Sequence, residues 1–180
     1  MKGTRAAVRY AKAFYQLAVS NNALDSAMED IRLIKGTIKA NKELMHLLKT
    51  PLVNSEKKQK VMMAIFKDHL QNLSQKLIAL LIEKNREALL PFVCDSFIDE
   101  YNQAHQIGQV KVESAIPLDA EEKKNIESAM KERYALSKVE LNQSVNKELI
   151  GGIILTIGDQ QFDGSIKSKI NQFKKELIHH

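Results

Sequence analysis

Four glycines, at 151, 152, 158 and 164, stand in GGIILTIGDQQFDGS, a composition that raises the chemistry of phosphate binding. A nucleotide cradle needs clustered backbone amides, as G-x-G-x-x-G between a strand and a helix or as G-x-x-x-x-G-K followed by Ser or Thr. Here Gly152, Gly158 and Gly164 fall six apart, with a run of branched apolar residues between the first two. Their amides do not converge on one phosphate. The same residues suit the turns of a small sheet, with Gly158-Asp159 and Asp163-Gly164 bracketing a short return strand around Phe162.

Other reactive residue types are equally scattered. His46, His69, His105, His179 and His180 have no metal-ligand spacing, and neither H-x-x-x-H nor C-x-x-C occurs. No G-x-S-x-G and no Ser and His pairing marks a nucleophile. Asp95, Asp99 and Glu100 sit together on one helical stretch and read as a solvated face. Cys94, in LLPFVCDSF, reads as a buried small hydrophobe in a reducing compartment. The expectation is no enzyme, no metal and no cofactor.

The elements are read from periodicity. From Thr4 to about Ala104 the apolar spacing is helical, broken at Asn21-Asn22, Asn41, the Pro51 to Ser55 turn and Pro91, which predicts five or six short helices in a bundle. Asn54 or Ser55 can cap the helix after Pro51. After Gly108 the period becomes two, with Val110, Val112, Ser114 and Ile116 on one side. Asp119, with Glu122 three residues on, opens a helix whose inner stripe is Ile126, Ala129 and Met130. A strand follows with Val139, Leu141 and Val145 on one side, then a central strand with Ile153, Leu155 and Ile157 opposed to Ile154 and Thr156. Ser165 caps a last helix with Ile166, Ile170, Phe173 and Leu177 on a stripe. The fold class is α+β: a helical bundle over 1–106, then a small strand-helix-strand-strand-helix domain over 107–180.

Composition bounds the partners. At 180 residues, with 44% apolar and 27% charged side chains, the chain builds a core and is not a disordered polymer. No stretch approaches the ~18 apolar residues of a membrane span, and helical periodicity starting within MKGTRAAVRY leaves no room for a signal peptide. The net charge of +5 and pI near 9.2 raise a basic nucleic-acid-binding module as the alternative function. Against it, basic residues alternate with acids, as in EEKK at 121 to 124, and no aromatic pair sits on a strand to stack bases. No nucleic acid is expected.

One helix is too apolar for its position. Arg5, Arg9, Lys12, Gln16 and Ser20 fall within roughly 80° of the first helix, and apolar residues cover the rest, about twice the arc a surface helix needs. NLSQKLIALLIEK has a similarly broad face. Such helices are either central in their own bundle or line a groove for a partner's amphipathic helix. Both readings stay open on the wheel alone.

Five segments in order carry a resemblance over nearly the full length: AVRYAKAFYQLA, NKELMHLLKTPLVNSEKKQKV, LLIEKNREALLPFV, VKVESAIPLDAEE and IGGIILTIGDQQFDGSIKSKI. The chain resembles the delta-subunit family of bacterial F-type ATP synthases, related to the mitochondrial oligomycin-sensitivity-conferring protein. The family often has glycine where this chain has Asn85, and both residues tolerate a left-handed turn. The resemblance implies a non-catalytic stator subunit. Its amino-terminal domain, 1–106, would bind the amino-terminal helix of an alpha subunit through the first and fifth helices, and 107–180 would contact the b subunits of the peripheral stalk. On that basis Tyr10, Phe14, Leu77, Leu80 and Leu81 are the expected groove residues. The same resemblance implies a peripheral protein on the cytoplasmic side of the bacterial inner membrane, not inserted in it, a monomer when isolated and present once in the complex.

Overall fold

The punctuation of the first hundred residues becomes helix boundaries. In the computed structural model, which describes residues 5–178, α1 (Arg5–Ser20) ends at a left-handed Asn22 and α2 (Leu24–Ala40) follows. The Asn41 side chain then accepts from the amides of Glu43 and Leu44, at 3.0 and 3.1 Å, and opens α3 (Lys42–Lys49). Pro51 keeps Thr50 extended, at φ −76° and ψ 131°, so α3 stops there. Asn54 caps α4 (Ser55–Phe66) through the Lys57 amide at 2.9 Å. After α5 (Asn72–Glu83), Asn85 takes φ 53° and a short 3₁₀ turn, Glu87–Leu89, leads into α6 (Leu90–Ala104), which holds Pro91 in its first turn.

The chain divides between Tyr101 and Asn102 into two compact units with separate cores. In the first, Ala7, Ala11, Phe14 and Ala18 of α1 meet Ile31 and Ile34 of α2, Leu77, Ile78, Leu81 and Ile82 of α5, and Val93, Cys94 and Phe97 of α6. Phe14 and Phe97 stack at 5.2 Å between centroids, tilted by 50°. Burial pushes the Cys94 thiol up to about 12, so it carries no thiolate. One charged pair is also buried: Lys58 of α4 donates to Glu87, and both are under a tenth exposed.

In the second unit, β1 (Ile107–Ser114), α7 (Ala120–Tyr134), β2 (Lys138–Val145), β3 (Ile153–Ile157) and β4 (Gln160–Asp163) form a sheet in the order β2-β1-β3-β4, with α8 (Ile166–Ile178) last. β1 and β2 are parallel and α7 makes the crossover that this pairing requires; the other pairs are antiparallel. Val110 faces Leu141 and Ile157 in register, and Val112 faces Leu155, so one sheet face is apolar. Ile126, Met130 and Tyr134 of α7 pack on it. Ala129 is exposed instead of inward, because the covered row Ile126, Met130 and Tyr134 drifts about 40° per step around α7 and Ala129 lies on the far side of Ile126 from it. Ile116 is also exposed, since β1 ends at Ser114, whose hydroxyl donates to the Ile116 carbonyl at 2.7 Å. The Asp119 and Glu122 capping box forms.

The glycine stretch makes turns. Ile157 pairs with Gln160 across Gly158 and Asp159, with Gly158 at φ 57°. Gly152 has φ 81°, and a Cβ there would lie 2.4 Å from the Gly164 carbonyl oxygen. Ser165 caps α8 through the Ser168 amide at 3.2 Å. Ile166 and Ile170 of its stripe are partly exposed, while the Phe173 and Leu177 side chains lie outside the described residues. No helix of the described residues is long and apolar enough to cross a membrane.

Candidate helix-docking groove

The wide apolar arc of α1 is covered on one side only. Ala7, Ala11, Phe14 and Ala18 turn into the core, whereas Val8, Leu17 and Val19 stay 37%, 48% and 47% exposed. On α5, Leu77, Ile78, Leu81 and Ile82 are buried and Leu80 is 40% exposed. Between the two helices lies a cleft of ≈160 Å³ lined by Tyr10, Ala13, Phe14 and Leu17 on one wall and Leu73, Lys76, Leu77 and Leu80 on the other.

Both walls have the same construction. Each set is spaced i, i+3, i+4, i+7, which is one stripe of a helix, so two parallel ridges enclose a furrow. Phe14 and Leu77, 4% and 5% exposed, make its floor, with Leu17 and Leu80 as its rims. At the Tyr10 end, Arg86 Nη1 donates to the Tyr10 hydroxyl at 3.2 Å and its guanidinium carbon stands 5.8 Å from the ring centroid. The left-handed Asn85 turns the chain there, immediately after α5.

Of the five residues expected at the groove, Tyr10, Phe14, Leu77 and Leu80 come together on its walls. Leu81 does not line it: the side chain is fully buried in the core behind the α5 wall. Ala13, Leu17 and Leu73 complete the walls, and their signal was their spacing from Tyr10, Phe14, Leu77 and Leu80. Lys76 had no apolar signal. Other cavities include one of ≈590 Å³ along α3 and α4 with Leu44, Leu47, Val61 and Ile65, and one of ≈400 Å³ beside α7 and β2 with Leu118, Lys123 and Glu127.

The described residues hold no group of three His, Cys, Asp or Glu that could bind a metal. His46, His69 and His105 are exposed, and His179 and His180 lie outside the described residues. Burial, and then the neighbouring Asp95, raises the Asp99 carboxyl above the usual carboxylate range, but Asp95 itself bridges to Lys35 at 2.7 Å on an open face.

The family described as ATP synthase delta (OSCP) subunit matches residues 6–177. A curated relative from Cytophaga hutchinsonii, "ATP synthase subunit delta", is 33% identical over 177 residues, covering 98% of this chain and 96% of that protein. The chain belongs to the ATP synthase delta (OSCP) subunit family. Another member, from Alkalihalophilus pseudofirmus, is 33% identical and covers 99% of this chain and 98% of its own length. A chain in the cryo-EM structure of the Toxoplasma gondii mitochondrial ATP synthase hexamer shares the fold, with a TM-score of 0.77, 22% identity, and coverage of 97% of this chain and 98% of that one. The delta (OSCP) likeness therefore runs through both units, and the family's description is that of one subunit of a larger complex.

Proposed function

We propose that this chain is a non-catalytic stator subunit of a rotary F-type ATP synthase, tying the catalytic head to the peripheral stalk. The observation that carries the reading is the furrow between α1 and α5, two matched helical stripes, apolar except for Lys76, whose rims Leu17 and Leu80 the chain's own core leaves exposed. Its occupant is the amino-terminal helix of an alpha subunit, whose apolar face meets Tyr10, Phe14, Leu77 and Leu80, with Leu81 bracing the wall from behind. The second unit contacts the b subunits. The protein then sits peripherally on the cytoplasmic side of the bacterial inner membrane, attached through its partners.

The work is mechanical. A turning central shaft exerts torque on the head, which would rotate idly unless anchored. Apolar burial at ~25 cal/mol per Å² supplies the grip, and polar rim contacts set register.

Titration of a synthetic peptide of the alpha amino terminus into the full chain tests this by calorimetry. Leu80→Asp and Tyr10→Asp replace apolar contact area with a hydrated carboxylate against the docked helix and weaken binding by about 2 kcal/mol or more. Leu80 is 40% exposed in the free chain, so its substitution leaves the melting temperature nearly unchanged. Wild-type affinity in both variants refutes the groove as the head-binding site.

A further inference from the structure

The chain's net charge is not spread over its surface. Residues 5–20 and 72–86, the two groove helices with the turn after α5, hold six cations, Arg5, Arg9, Lys12, Lys76, Lys84 and Arg86, and a single carboxylate, Glu83. The whole chain has 27 basic and 22 acidic residues, so removing six and one leaves 21 of each sign elsewhere. The entire +5 belongs to the groove segments.

Helix stability does not account for the placement. The amino end of an α-helix favours acidic side chains, yet α1 has none in its first turn and carries Arg5 and Arg9 over its first five residues. Three features bring the charge to the furrow. Lys76 is exposed and part of the wall itself. Arg86 is held at the Tyr10 end by its hydrogen bond and its contact with the ring. Arg9 is exposed and immediately precedes Tyr10, so that at about 100° per residue it flanks the wall beyond Ala13. Some of this charge is already answered, by Glu83 to Lys84 at 2.7 Å and by Glu100 to Lys12 at 3.9 Å. Lys76, Arg86 and Arg9 remain on both banks of the apolar floor.

We infer that the groove selects an acidic amphipathic helix: two to three turns, with an apolar stripe for the furrow and carboxylates on both flanks of that stripe for Lys76, Arg86 and Arg9. This rests on the reading of the groove as a helix site and adds what the occupant must carry beyond its stripe. A polyanion such as single-stranded DNA meets the charge but supplies no apolar ridge for Phe14 and Leu77. A neutral apolar helix meets the floor but leaves the banks unanswered.

Three designed peptides of about 16 residues, titrated into the full chain at about 50 mM and about 0.5 M salt, separate the cases. One has a Leu stripe flanked by Glu, one the same stripe flanked by Lys, and one Glu flanks with Ser in place of Leu. The Glu-flanked Leu peptide is expected to bind at least about tenfold more tightly than its Lys counterpart at low salt, a gap that narrows at high salt. Lys76→Glu combined with Arg86→Glu is expected to invert the preference, and Lys76→Glu alone to reduce it. Equal affinity for the two Leu peptides, unmoved by the charge reversals, overturns the acidic preference and leaves the groove reading standing. Failure of both Leu peptides to bind removes the groove reading too. Binding of the Ser-striped peptide, or of a short single-stranded DNA, as tightly as the Glu-flanked Leu peptide overturns the inference in favour of a general polyanion surface.

Discussion

Lys58 and Glu87 show how a single residue escapes a sequence reading. In SEKKQK three lysines look equivalent, yet Lys58 is 3% exposed and bound to Glu87, 29 positions away, while Lys57 and Lys60 are exposed. Whether a lysine is buried depends on a partner that folding brings to it, and nothing local announces the pair. The energetic consequence is asymmetric. Lys58→Met leaves the Glu87 carboxylate buried without its counter-charge and should destabilise the first unit by about 3–5 kcal/mol in urea unfolding. Adding Glu87→Leu should recover most of that loss, because two apolar side chains replace two desolvated charges. A double variant no more stable than Lys58→Met shows that the pair is worth more than its removal. Leu80 and Leu81 make a related point at the groove. Neighbours on a helix are about 100° apart, and the wheel shows an arc without saying which edge the core takes. Core packing took Leu81 and left Leu80 outside.

At the scale of elements, what could be read in advance was local punctuation. Asn41, Asn54, Asp119 and Ser165 each cap a helix with a side chain that reaches only two or three residues onward, so their signals are complete in the sequence. The change of period near residue 107 was legible for the same reason. Stripe assignments failed where neighbours decide: Ala129 is exposed while Met130 is buried, and Ile116 lies past a strand that had already ended. The glycine turns allow a paired prediction. Gly152 combines φ 81° with a carbonyl oxygen 2.4 Å from where a Cβ would stand, so Gly152→Ala requires the strand-to-helix junction to move and should destabilise the second unit by about 2 kcal/mol or more. Gly158 has φ 57° but open space around it, so Gly158→Asn should change stability by less than about 1 kcal/mol. Comparable losses in both thermal melts remove steric crowding at Gly152 as the cause.

For the molecule as a whole, no described residue belongs to both hydrophobic cores. Lys58→Met and Gly152→Ala therefore act on different cooperative units, and the full chain should unfold with each substitution moving its own set of residues. Amide hydrogen exchange is the measurement. Lys58→Met should lower protection at Ile31, Ile34 and Ile78 and spare Val110 and Val112, with the reverse pattern for Gly152→Ala. Uniform loss across both sets in either variant means one cooperative unit. Last, consider the inward side of α1, where Ala7, Ala11 and Ala18 are each almost wholly covered. With only methyl groups between that rod and what lies under it at three points, the Phe14 ring is the one bulky spacer on its buried side. Lengthening one concealed alanine would jack the rod upward and spread the jaw, so holding strength is adjustable from a position that no visiting polypeptide ever meets.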